Sequence, residues 1–188
     1  MTVGLLLIDI QNDYFPGGKM ELVGSDAAGQ VTGRLLAFFR QNRLPIVHIQ
    51  HLAIRPGATF FIPQTPGADF HPSVQPLDGE TVIQKHYPNS FRETPLLAQL
   101  QQLGVQQLVV AGMMTHMCLD AGVRAATDYG FACRVVRDAC ATRDLKLDDR
   151  VVAAADVHAA FLAALNGTYG RVLPADAVIA ELQQELSG

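Results

Sequence analysis

The sequence predicts an α/β fold: a single-domain, doubly wound, mostly parallel six-stranded sheet, Rossmann-like, with helices on both faces. Three observations predict it. Short continuous apolar runs, of the kind needed by parallel strands covered on both faces, recur along the chain. Between them stand stretches of helical spacing bounded by capping residues and glycines. The alternation runs from end to end of the 188 residues with no internal repeat, so one domain over residues 1–188 accounts for it.

Val3 to Ile8 is the first apolar run, and Asp9 stands directly at its end. Gln11 to Gly18 is rich in turn residues and reads as a loop. Ser25 or Asp26 caps a helix whose stripe is Ala28, Val31, Leu35, Phe38 and Phe39. Leu44 to Gln50 is the second strand. Ala53 to Pro76 then breaks the pattern. It carries Pro56, Pro63, Pro66, Pro72 and Pro76 with Gly57 and Gly67, and shows no sustained period. A connection of this length in a compact domain reads as a lid or binding loop. Its Phe60, Phe61 and Phe70 are costly to expose, so they are expected to pack over a site or against a second subunit.

Glu80 to Gln84 is the third strand, ending at Lys85. Thr94-Pro95 opens a helix with the stripe Leu96, Leu97, Leu100 and Leu103, closed by Gly104. Strand four covers 106–111. Gly112 is expected to break it, and Thr115 to cap a helix reaching Tyr129. Phe131 to Val136 is strand five, leading into Asp138. Val151, Val152, Ala155, His158, Leu162 and Leu165 mark the next helix, stopped by Gly167. Arg171 to Leu173 is strand six, and a last helix starts from Pro174.

Bulk properties narrow the function classes. A net charge of −4 with no basic patch argues against nucleic acid as a partner. No apolar stretch approaches the ~20 residues that span a bilayer, so no membrane association is expected. The run from Val3 to Ile10 lacks a basic flank and is too short for a signal sequence. Three cysteines without CxxC spacing suit a reduced, cytoplasmic setting. With 49% hydrophobic residues the chain can build a core without metal or disulfides.

The chemistry concentrates at strand ends, where open α/β sheets bind ligands. Cys118 falls at about the third position of the predicted helix, where unpaired N–H groups favour a thiolate. Asp9 and Lys85 end two other strands. Taken singly, Asp9 reads as a loop cap, Lys85 as a solvated strand end and Cys118 as a core residue. Together they supply a nucleophile, a carboxylate to take its proton and a cation to orient both. Cys133 and Cys140 read as structural, and His48 as a satisfied core residue.

Four segments carry a resemblance: Leu7-Ile8-Asp9-Ile10-Gln11-Asn12-Asp13-Tyr14-Phe15, Gln84-Lys85-His86-Tyr87-Pro88-Asn89-Ser90-Phe91, Gly112-Met113-Met114-Thr115-His116-Met117-Cys118, and Asp138-Ala139-Cys140-Ala141-Thr142. In order and spacing they resemble the isochorismatase-like cysteine hydrolase superfamily, which includes nicotinamidases and N-carbamoylsarcosine amidase. The resemblance implies a catalytic triad of Asp9, Lys85 and Cys118. It also implies an oxyanion hole from the N–H groups of Met114 and Cys118, presented by a cis Met113–Met114 peptide. The implied reaction is hydrolysis of a small-molecule C–N bond (amide, carbamoyl or related) through an acyl-enzyme, with no cofactor. Phe15, His51, Phe60, Asn89, Phe91 and His116 are the expected substrate-binding residues. The Asp-x-His pair by which nicotinamidases hold a metal is absent: His51 and Ala53 stand at its positions, and His51 with His71 makes a poor site. No metal is therefore expected, and nicotinamide is disfavoured. The family is commonly oligomeric, so a homo-oligomer, dimer or tetramer, is expected with the 53–76 segment at its interface. Two alternatives remain. One is a vinyl-ether hydrolase of a chorismate-like dianion, with Arg55 and Arg92 as its obvious cations. The other is a non-catalytic binding protein on the same fold.

Overall fold

The computed structural model describes residues 2–188. Its main sheet has six strands in the order β3-β2-β1-β4-β5-β8, all parallel. These are β1 (Thr2–Ile8), β2 (Ile46–His51), β3 (Thr81–Lys85), β4 (Val105–Met113), β5 (Ala132–Ala141) and β8 (Arg171–Leu173). The helices are α1 (Ser25–Gln41), α2 (Leu96–Gln102), α3 (Asp120–Asp128), α4 (Ala154–Leu165) and α5 (Ala175–Ser187).

The pleat of β1 sorts the two cores. Val3, Leu5 and Leu7 face α1 and α5 with Leu35, Phe39, Val178 and Leu182. Leu6 and Ile8 face the opposite layer with Leu96, Leu100, Val123 and Leu162. A central strand that is apolar at every position is what two covered faces require. The chain winds outward from β1 through β2 to β3, then returns to β4 on the other side of β1. The reversal opens a crevice between the ends of β1 and β4.

Several elements depart from expectation, each for a local reason. Gly112 does not end β4. The strand runs through it to Met113, with a register shift against β5 between Val110 and Gly112. Gly112 has φ +142°, and a Cβ there would lie 2.1 Å from the Ile8 carbonyl oxygen. It is the place where two backbones pass too closely for any side chain. Thr115 is not a helix cap. It begins a π-helical turn, Thr115–Leu119, that precedes α3. Its hydroxyl donates to the Ala141 carbonyl at 3.2 Å and meets His158 Nδ1 at 2.9 Å. Gly24, with φ +77°, occupies the cap position of α1 in place of Ser25 or Asp26. Pro95 precedes α2 as its cap residue, one position earlier than expected.

Val151 and Val152 are not helical. They form β7 (Arg150–Val152), paired antiparallel with β6 (Leu145–Leu147) in a separate hairpin. The Asp144 carboxylate accepts from the Ala154 N–H at 2.8 Å and so starts α4 beyond the hairpin. Asp138 does the same for α5 through Ala175 N–H at 2.9 Å.

The aromatics of the 53–76 segment turn inward within the chain. Phe61 is 1% exposed and packs with Tyr14 and Phe60. Phe70 sets its ring edge-on to His48. Phe60 and Phe70 stay partly exposed, so the segment buries one of its three rings fully and the other two in part. Among the described residues no helix is long and apolar enough to cross a membrane.

The Gly112 contact yields a test. Gly112→Ala forces backbone movement and should cost at least about 2 kcal/mol. Gly17→Ala also sits at positive φ but meets nothing within 4 Å, so it should cost only about 1 kcal/mol. Denaturant unfolding of both variants checks the order, and equal losses would contradict the steric reading.

Candidate active site

Asp9 follows β1 with φ +54°, a left-handed conformation that aspartate tolerates better than most residues. Its N–H donates to the Ile49 carbonyl at 3.1 Å, which ties the turn to β2. Lys85 is the last residue of β3 and pairs in register with His51 on β2. Lys85 Nζ lies 2.7 Å from Asp9 Oδ2, and both side chains are fully buried. The ammonium also meets His51 Nδ1 at 2.9 Å and donates to the Tyr87 carbonyl at 3.1 Å. Three acceptors thus surround its three N–H groups. The ion pair with Lys85 engages Oδ2, and Oδ1 has no hydrogen-bond partner among the described residues.

Cys118 lies in the π-helical turn beyond β4 and is 5% exposed. One donor atom each from Asp9, His51 and Cys118 falls within 4.8 Å of the others. Burial pushes the Cys118 thiol far up, the Asp9 carboxylate adds to the rise, and Lys85 opposes it. This corrects the expectation of a thiolate stabilised at a helix start. Loss of solvent and an adjacent negative charge outweigh the terminal N–H groups, so the resting group is a neutral thiol. Lys85 is raised: burial alone would lower it, but the charges of Asp9 and Cys118 prevail. Burial lowers His51 to about 4, against the pull of Asp9. His51 is therefore neutral and accepts from Lys85 through Nδ1, which leaves its proton on Nε2.

These groups open into a cavity of about 350 Å³. Its walls include Tyr14, His51, Phe60, Phe61, Met114 and Cys118, with Arg55 at an exposed lip. The Met113–Met114 peptide is cis, as the resemblance implied. Asp13 braces the wall from outside. Its Oδ2 accepts from Phe61 N–H at 2.6 Å and its Oδ1 from Lys19 N–H at 3.1 Å. Gln11 ties the end of β2 to the loop, donating to the carbonyls of His51 at 2.9 Å and Ala68 at 2.7 Å.

The expected substrate-binding residues divide. His51 and Phe60 line the cavity. Phe15, Asn89, Phe91 and His116 are not among the residues that line it. Phe15 stacks on His71 at 3.5 Å, on the far side of Tyr14's turn. The Asn89 side-chain Oδ1 accepts from Phe91 N–H at 2.9 Å in a local turn. Phe91 packs into the opposite core beside Tyr129 and Phe131. His116 Nδ1 is held by the Thr142 hydroxyl at 2.6 Å. Tyr14, Met117, His86 and Pro88 line the cavity without having been named as substrate-binding. Tyr14 lies inside the motif that supplied Asp9 and Phe15 to the expected site. Cys133 and Cys140 are buried, pushed up to about 11 and about 12 by loss of solvent.

The residues do not fit the metal of the nicotinamidase type. Ala53 offers no donor, and His71 is stacked on Phe15 with Nδ1 against Ser73 Oγ at 2.8 Å. His51 Nδ1 is already engaged by the Lys85 ammonium. A cation among Asp9, His51 and Cys118 would have to displace Lys85 from Asp9.

A parallel sheet with polar residues gathered in the crevice beyond its strand ends puts this site where doubly wound α/β proteins bind their ligands. The family model for the Isochorismatase domain matches residues 3–177. The isochorismatase family protein YddQ of Bacillus subtilis is 52% identical over 179 residues, covering 95% of this chain and 99% of that protein. Maleamate amidohydrolase of Pseudomonas putida is 31% identical over 183 residues, covering 90% and 81%. A solved isochorismatase structure from Pseudomonas putida KT2440 superimposes with a TM-score of 0.87 at 39% identity, covering 93% and 89%. The chain belongs to the isochorismatase family and is an isochorismatase-family hydrolase.

Burial sets a pH dependence of stability. His48, His51, His71, His116 and His158 are all lowered by burial. Groups that stay neutral in the fold but protonate when unfolded stabilise the fold above the ordinary histidine value of about 6.5. That contribution is lost as pH falls, for His51 down to about 4. Glu80 adds a later loss. Burial would raise it, but hydrogen bonds from Arg40, the Leu77 N–H and His48 hold it at about 2. The urea midpoint should therefore drop between about pH 7 and pH 5, before carboxylates titrate. A flat midpoint across that range would contradict the assignment.

Proposed function

We propose that this chain is a cysteine-dependent hydrolase of a small-molecule C–N bond, in an amide, carbamoyl or related group. It works through Cys118, Asp9 and Lys85 by way of an acyl-enzyme. One observation carries the reading. A buried thiol stands within 4.8 Å of a buried carboxylate that is paired with a buried lysine at 2.7 Å. The Asp9 carboxylate takes the thiol proton as Cys118 Sγ attacks the carbonyl carbon. The N–H groups of Met114 and Cys118 receive the oxyanion, each such donor typically contributing about 10²–10³ in rate. Asp9 then returns the proton to the departing nitrogen, the C–N bond breaks, and water later hydrolyses the thioester. Lys85, ringed by acceptors, acts as a fixed charge and makes no substrate contact.

The apolar walls and the ~350 Å³ volume suit a small substrate. A chorismate-like dianion would call for at least two cations. Arg55 lines the cavity, but Arg92 lies over the Tyr87 ring at 3.7 Å and pairs with Glu93 at 3.5 Å. Relatives named nicotinamidase/pyrazinamidase and maleamate amidohydrolase also support C–N chemistry. A purely binding role leaves unexplained a fully desolvated ion pair set against a thiol, since desolvation is costly.

A panel of small amides, ureas and carbamates, read by ammonia release, tests the reading. Cys118→Ala should abolish turnover. Asp9→Asn should lower it by a factor on the order of 10²–10⁴. Intact-mass spectra should show a covalent adduct in the wild type alone. Substantial activity in Cys118→Ala would sink the mechanism.

A further inference from the structure

Tyr14 is a residue that the triad does not use. It lies in a short 3₁₀ turn just beyond Asp9, is 2% exposed, and lines the cavity with Cys118. Its ring is fixed by Phe61 at 4.5 Å and Phe60 at 5.9 Å between centroids. The Tyr14 N–H donates to the Gln11 carbonyl at 3.0 Å, which anchors the backbone beneath it. Its hydroxyl, by contrast, has no hydrogen-bond partner among the described residues. It is not one of the fully buried polar atoms left without a partner, which fits a hydroxyl open to the cavity that Tyr14 lines. Burial raises Tyr14 well above its usual value, and the charges acting on it most strongly are those of Cys118 and Asp9. The phenol is thus neutral throughout and is felt at the thiol–carboxylate corner of the cavity.

The other polar groups of the cavity are committed or distant. Lys85 has its three acceptors, and His51 Nδ1 is one of them. His86 Nδ1 is anchored to the Leu52 carbonyl at 2.8 Å, and Arg55 stands at the exposed lip. Acyl transfer leaves one task that the triad does not cover. Once the amine has gone, a water molecule has to be held between the thioester carbon and Asp9. A neutral hydroxyl, able to donate and accept at once, suits that task.

We propose that Tyr14 is the water-positioning residue of deacylation: its hydroxyl holds the hydrolytic water against Asp9 and the Cys118 thioester. The proposal rests on the acyl-enzyme reading above. The Asp9 carboxylate takes one proton from the water, and the oxygen bonds to the thioester carbon. The C–S bond breaks, and the sulfur recovers the proton from Asp9. The products are a carboxylic acid and the original thiol, with no other reactant. Acylation needs no such water, so Tyr14 acts on the second half of the cycle.

The test uses the full chain with p-nitrophenyl acetate, whose burst of nitrophenolate reports acylation and whose steady state reports deacylation. Tyr14→Phe keeps the ring and its packing, and its unfolding midpoint should match the wild type. It should slow the steady state by about tenfold, an effect typical of one lost catalytic hydrogen bond, while changing the burst rate by less than about threefold. Intact-mass spectra of the variant during turnover should show the acetyl adduct accumulating on Cys118. Unchanged rates in both phases would overturn the proposal, as would equal losses in both. A wild type with neither burst nor adduct, or an equal adduct on Cys118→Ala, would instead remove the acyl-enzyme reading and this proposal with it.

Discussion

The fully buried ion pair between Asp9 and Lys85 is the constraint around which the site is arranged. Taking two charges out of water costs several kcal/mol for each ion, and attraction at 2.7 Å offsets this only if the remaining donors are also matched. The chain meets that condition from three directions. β1 delivers the carboxylate, β3 the ammonium, and β2, lying between them in the sheet, the imidazole of His51. The Tyr87 carbonyl closes the last side just beyond β3. Truncating either partner would leave the other charge buried alone, which costs about 3–5 kcal/mol. The pair holds a carboxylate beside the Cys118 thiol, with Oδ2 on the lysine and Oδ1 unpartnered among the described residues.

The thiol arrives from the opposite side of the switch point, and a steric fact brings it there. Ile8 and Gly112 are register partners on β1 and β4, and only a residue without Cβ allows the approach. β4 thereby continues past the end of β1, and the chain turns into the π-helical segment over Asp9. Cys118 then lies against the carboxylate instead of out in solvent. The same approach buries the sulfur, and burial makes it a thiol at rest. Geometry and charge state are thus set by one contact. In the proposed mechanism the thiolate forms only as its proton passes to Asp9.

Much of this was readable before any coordinates. The central strands announce themselves as apolar runs, and Asp9, Lys85 and Cys118 could be placed at or just beyond strand ends by counting along the chain. What sequence could not supply was direction. Tyr14 and Phe15 are adjacent aromatics in one motif, but one lines the cavity and the other stacks on His71 behind it. Phe91 follows a site lysine by six positions and yet belongs to the opposite core. Val151 and Val152 extend the helical stripe of α4 in sequence, and only the tight hairpin before Ala154 shows that they are strand. The thiolate expectation failed for a related reason. A helix-terminus argument assumes that solvent and terminal N–H groups are the nearest influences, whereas the nearest here is Asp9. The 53–76 aromatics looked exposed because a proline-rich stretch has no period to reveal an inward face.

Position 51 shows how one side chain redirects the electrostatics of such a site. A second carboxylate there would leave the corner beside Asp9 with a net negative charge and draw in a divalent cation. The imidazole is neutral, since burial lowers it to about 4, and it spends its lone pair on Lys85. The positive charge that balances Asp9 is therefore covalently part of the chain and cannot be exchanged. An ammonium with its three donors already matched has none left for another partner. The balance is local: Asp9 against Lys85, an imidazole that burial keeps neutral, and a thiol and a phenol that burial pushes up. A cavity built this way does little to attract ions in its depth, and Arg55 adds charge at the mouth.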